Sequence, residues 1–205
     1  IGNSAEYIMR LTGGTGGTLD LLKDTSQIRF GADTEIMLKH DHNSGLTLDN
    51  NALTNGPIFT LHNTNTDATG GTLKFFKEGN SAANSDVIGN ITFVGQDSLN
   101  AEQTYGSIIS SISDVSAGNE GGKLVLNVAS HNGAITQGLL LQDGSTNGEV
   151  DVTIGAGTAS HTSIAGIVAI KGEQGSGPSA PSNGDGGLLY TKADGKLYWV
   201  SNELS

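Results

Sequence analysis

From Thr72 to Ile154 the chain repeats one pattern: short apolar runs separated by turn residues. The runs are Thr72–Phe76, Val87–Val94, Tyr105–Ile112, Lys123–Val128, Gly138–Gln142 and Val150–Ile154. Each is rich in β-branched or large apolar side chains, and Gly, Asn, Asp or Ser bounds each one. Such spacing predicts successive β-strands joined by turns. Lys123–Val128 places Leu124, Leu126 and Val128 on one side, and Val150, Val152 and Ile154 alternate with Asp151 and Thr153. A period of two predicts one buried face and one wet face. The Leu124, Leu126 and Val128 face is therefore expected to be core. No segment reads as a helix of useful length.

The same texture continues on both sides. Residues 1–56 read as an N-terminal stalk of short repeated strands at Glu6–Leu11, Thr18–Leu22, Gln27–Phe30, Glu35–His40 and Leu46–Leu48. The Gly-rich stretch Gly13–Gly17 lacks the third glycine of a dinucleotide loop, with Leu19 in its place. It also lacks the aspartate of a calcium β-roll, with Thr18 in its place. It reads as a turn. Residues 57–156 form a central β module. Residues 157–205 hold a connector strand at Ile164–Lys171, a Gly/Pro/Ser linker over 172–187 and a closing hairpin. In that hairpin Asp194-Gly195 sits between two β runs, a strong turn signal.

Composition narrows the class further. The chain has 205 residues with 31 glycines, only 15% charged residues and 35% hydrophobic residues. The hydrophobic share falls short of the ~45–50% usual for a globular domain. Chain entropy costs about 1–2 kcal/mol per residue in the backbone alone, so one copy has little apolar surface with which to offset it. Burial between copies is the expected remedy, which predicts an obligate oligomer. The net charge of −11 disfavours phosphate backbones, so no nucleic-acid partner is expected. No apolar run approaches 18 residues, so no membrane insertion by a helix is expected. Cysteine is absent, which excludes disulfides and thiolate chemistry.

Ile28–His40 with Gly45–Leu48, Pro57–Phe75, Asp86–Asp97, Tyr105–Ile108 and Gly122–Leu126 together resemble segments of structural proteins from marine bacteriophages, in particular a module of tail fibres and related virion appendages. The closing hairpin, Gly187–Thr191 with Asp194–Trp199, is similar to the ends of phage fibre proteins. The resemblance covers roughly residues 28–154. It implies an all-β, elongated, interwoven homotrimer of β-prism or triple-β-helix type with almost no helix. It implies a virion surface appendage concerned with host attachment, with itself, other virion proteins and a host surface glycan or protein as partners. The alternatives are a neck, baseplate or capsid-attached whisker protein without receptor contact, and a glycan-cleaving tailspike fragment.

Candidate sites are few. No G-x-S-x-G elbow, H-E-x-x-H motif or phosphate loop is present, and no enzymatic activity is expected. The carboxylates Asp143, Glu149 and Asp151 lie close enough in sequence to suggest a glycosidase pair, but read better as solvated turn acids. Tyr190, Tyr198 and Trp199 are the densest aromatic cluster and the candidate glycan contact. The period of the hairpin sets Leu188, Tyr190, Tyr198 and Val200 on one side and Trp199 on the other. His40 and His42 are spaced i, i+2, which in an extended segment points both rings one way. Resemblance to H-x-H sites in trimeric fibres implies an axial iron, nickel or zinc ion held by three such pairs. Gly89 and Gly106, each inside a strand, mark a bulge or a close approach.

Overall fold

The computed structural model describes residues 9–12, 18–21, 26–30, 36–42, 45–50, 56–79, 81–182 and 185–202. Among them there is no helix, and thirteen strands form four sheets. The chain divides into two compact units, Ile1–Lys74 and Phe75–Ser205.

In the first unit β1 (Met9–Thr12) and β2 (Thr18–Leu21) form an antiparallel ribbon. Strands β3 (Gln27–Phe30), β4 (Ile36–Asp41) and β5 (Gly45–Asn50) form an antiparallel sheet in that order. These are the short strands expected of the stalk. The expected strand residues 6–8, 22 and 35 lie outside the described residues, as do the turn at Gly13–Gly17 and residues 23–25, 31–33 and 43–44. Met37 on β4, 6% exposed, is the only buried hydrophobic side chain among the described residues.

The second unit is built on a five-stranded antiparallel meander. Its strands are β6 (Val87–Gln96), β7 (Glu102–Asp114), β8 (Gly121–Ala129), β9 (Ile135–Asp143) and β10 (Val150–Ile154). Local chemistry explains three of the four turns. The Asp97 carboxylate accepts from the amides of Leu99 at 2.8 Å and Ala101 at 2.9 Å, closing β6 onto β7. Gly133, at φ +80°, supplies the left-handed residue of the β8–β9 turn and donates its amide to Ser130 at 2.8 Å. Glu149 gathers the amides of Ser145 at 2.7 Å and Thr146 at 3.1 Å in the β9–β10 turn.

The register assigns every side chain to a face, because directly opposed residues share one. One row across the sheet reads Ile91, Ile108, Leu126, Leu139, Ile154. The next reads Gly89, Ser110, Leu124, Leu141, Val152, and a third begins Phe93, Gly106, Val128. The opposite face carries Asn90, Ile109, Val125, Leu140 and Thr153 in one row, and Ser111, Lys123, Gln142 and Asp151 in another. Bulges interrupt the ladder between Val87 and Gly89, between Phe93 and Val94, between Ile112 and Asp114, and between Leu126 and Asn127. The extra residues are Ile88 on β6, Tyr105 and Ser113 on β7 and Gly138 on β9.

The last sheet joins β11 (Glu173–Gln174), β12 (Leu188–Lys192) and β13 (Leu197–Val200). Strands β12 and β13 form the expected hairpin, and Gly195 at φ +75° closes it by donating its N–H to the Lys192 carbonyl at 2.9 Å.

Two expected strands do not form. Thr72–Phe76 lies outside the strands, and Phe75 sets its ring against Gly89. The expected connector strand at Ile164–Lys171 also lies outside them. Apolar alternation supplies a strand's side chains but not the second edge that its amides and carbonyls need. A further departure is β11, which lies inside the expected linker and pairs in parallel with β12.

Candidate functional site

The face expected to be core is the open one. Leu124 is 38% exposed, Leu126 37% and Val128 58%. Val150, Val152, Ile154, Ile91 and Phe93 on the same face are exposed as well. The alternate residues of β8 on the polar face, Lys123, Val125 and Asn127, are less exposed than these apolar neighbours. The face is broken by three shallow recesses. One is bounded by Phe75, Ile88, Gly89, Ile91, Ile108 and Leu124, another by Phe93, Tyr105, Ile108, Leu126 and Val128, and the third by Leu124, Leu141 and Val150.

Aromatic rings edge this surface by lying over glycines. A Cβ at Gly89 would come within 2.8 Å of Phe75 Cγ, and one at Gly95 within 3.2 Å of Tyr105 Cε2. The Tyr105 hydroxyl donates to the Gln96 carbonyl at 3.3 Å. Sequence reasoning found Gly89 through its place inside a strand but missed both rings. Only the pairing register reveals what faces a glycine.

The aromatic cluster splits as its alternation predicts. Tyr190 and Tyr198 oppose each other and stack at 5.5 Å with planes 23° apart. Lys192 Nζ lies 4.5 Å from the Tyr198 ring centroid. The Tyr198 hydroxyl donates to Asp194 at 2.6 Å, which raises the phenol pKa and lowers that of the carboxyl. Trp199 opposes Leu189 on the other face, with its indole over Gly187. The three aromatics therefore form no common platform.

His40 and His42 stand at the β4–β5 end, both exposed, with ring centroids 6.5 Å apart and edge to face. Two imidazoles bound side by side to one ion at about 2.1 Å would bring their centroids to about 4.5 Å. The rings as placed do not converge on such a point. Asp41 between them is held by the Thr47 hydroxyl and by Lys39 at 2.9 Å, which together lower its pKa. Among the described residues no group of three or more His, Asp or Glu side chains is arranged to hold a metal.

Of the three acids only Glu149 serves a turn, whereas Asp143 ends β9 and Asp151 lies within β10. Asp143 accepts from the Ser113 hydroxyl, and Glu149 accepts from Ser145 and Thr146, which hold its carboxyl below the usual range. Asp151 opposes Gln142 on the polar face, whereas Asp143 opposes Val150. Asp143 and Asp151 thus point to opposite sides of the sheet. Among the described residues no helix is long and apolar enough to cross a membrane.

Comparison with protein-family models, with curated proteins and with solved structures finds no match. The fold and this apolar face define a class by themselves: a chain all-β among its described residues, whose main sheet gains no second layer from the described strands of its own unit.

Proposed function

We propose that the chain is a self-associating structural subunit of a bacteriophage virion appendage, a trimeric fibre or fibre-like attachment that presents its surface to a host cell. The observation that carries the reading is the open apolar face of β6–β10. Strongly apolar rows on a single-layer sheet need a covering layer, and a patch of this extent marks an association surface. The sequence resemblance over residues 28–154 supports a phage appendage and three copies. Interlocked sheets would act mechanically, as a stiff rod, with no catalytic step. Other virion proteins anchor such a rod, and a host glycan or protein meets its exposed end.

Light scattering tests the central claim. The folded chain is expected at about three times 20.9 kDa, and negative-stain images should show rods of uniform width. A stable, folded single chain at micromolar concentration overturns the reading.

A further inference from the structure

We infer that Ile164–Lys171 is an exchanged strand: it adds to the outer edge of β10 in a second copy of this chain. The inference rests on the self-association reading above and adds to its covered face a second contact, at the sheet edge.

The donor is defined by what it lacks. Ile167 is 95% exposed, and Ile164 and Val168 are exposed beside it. Among the described residues the backbone of 164–171 makes no hydrogen bond to another backbone group. Yet its sequence is strand-like. Ile164, Gly166, Val168 and Ile170 would share one side, and Ala165, Ile167, Ala169 and Lys171 the other. An extended, β-branched run that leaves its ladder groups in water is a strand without a partner.

The acceptor is defined in the same way. Strand β10 ends the sheet and pairs only with β9, so its outer amides and carbonyls have no ladder. An edge of this kind is a template for strand addition. Val150, Val152 and Ile154 stand exposed on its apolar side. A strand placed there with Ile164, Val168 and Ile170 on that side would continue the apolar rows by one column.

The chain's own geometry favours a second copy. Directly after β10, Gly155 at φ +93° and Gly157 at φ +142° form a tight turn. The Ser160 amide donates to Gly157 at 2.9 Å, and its hydroxyl accepts from Ala156 at 2.9 Å. The segment beyond this turn does not return to its own β10. Each copy thus carries one unpaired strand and one unpaired edge that do not meet each other. Pairing donor to acceptor from copy to copy is a head-to-tail contact, which closes as a ring of three where the rotation between copies is one third of a turn.

Because the chain has no cysteine, disulfide trapping tests this directly. Two differently tagged full-length chains are co-expressed, one carrying Val152→Cys and the other Gly166→Cys, Val168→Cys or Ile170→Cys in turn. Mild oxidation is expected to join the two tags in at least one combination as the major product. A Thr153→Cys control, on the polar face, should give little. An assembled protein with no mixed cross-link in any combination overturns the exchange and leaves self-association standing. So does a Val152→Cys/Val168→Cys chain that closes only within itself. A single-chain mass by light scattering removes both readings.

Discussion

The ring of Phe75 rests on the backbone of Gly89, so close that a Cβ there would lie 2.8 Å from its Cγ and 2.9 Å from its Cβ. The contact sits at the bulge between Val87 and Gly89. It anchors the segment that precedes the main sheet to that sheet's edge strand, β6. The Lys77–Asp86 ion pair, at 2.9 Å, ties down the same segment two residues on.

Gly89→Ala should therefore act as overpacking. Because the nearest atoms are the root of the side chain and not its tip, the ring must move as a whole. A loss of about 1–3 kcal/mol is expected, read as a lower denaturation midpoint. Phe75→Ala should cost less in the Gly89→Ala background than in the parent chain, since the two residues share one contact. Additive losses in that cycle would show that the ring is not what the methyl meets.

The two faces of β8 should respond oppositely to charge. Leu126→Asp places a carboxylate in the middle of the row Ile91, Ile108, Leu126, Leu139, Ile154. An unpaired charge buried in an interface is costly, so the assembled mass should fall to that of one chain. Asn127→Asp, one residue on and on the polar face, should leave the mass unchanged. Equal behaviour of the two variants would mean that the apolar face is not the one covered.

Acid should loosen the β9–β10 turn before the sheet. Glu149 has a lowered pKa because the Ser145 and Thr146 amides and hydroxyls donate to its carboxylate. A group lowered on folding stabilises above its unfolded value, here near the ordinary 4.5, and that contribution is lost as pH falls through the lowered folded value. Amide exchange at Ser145 and Thr146 should accelerate over that interval. In Glu149→Gln the same amides should exchange faster already at neutral pH, with little further change on acidification. A parent protein whose turn amides ignore pH would contradict the assignment.

Period-two alternation made most of the main sheet legible. Val150–Ile154 falls on β10, and Lys123–Val128 lies inside β8. The separation of Trp199 from Tyr190 and Tyr198 follows from the same period. What alternation could not supply was pairing. Thr72–Phe76 and Ile164–Lys171 carry strand-forming side chains, but a strand also needs an edge, and that is a property of the whole assembly. Strand β11 escaped for the opposite reason: Glu173 and Gln174 have no apolar pattern, and a parallel partner at Thr191 and Lys192 holds them. His40 and His42 do stand together at one hairpin end. The 6.5 Å between their rings depends on the turn at His42, which an i, i+2 spacing does not specify.

Trp199 offers the clearest view of the hairpin, because it is the only tryptophan in the chain. Its indole is 52% exposed, and Leu189 and Leu197 are exposed with it. Tyr190 and Tyr198 occupy the other face, stacked on each other beside Lys192. If the hairpin meets a host glycan, only one face can offer an open aromatic ring, and that face is Trp199's. In the assembled protein the emission should stay red-shifted and open to acrylamide quenching. Host polysaccharide should shift it to shorter wavelength. Trp199→Ala should lower polysaccharide binding at least tenfold, a loss of about 1.4 kcal/mol, with the assembled mass unchanged. Tyr198→Phe removes the hydrogen bond to Asp194 but keeps the ring, and should leave binding intact. Emission that turns blue and unquenchable on assembly alone would assign Trp199 to the interface between copies and remove the hairpin from the host-contact surface.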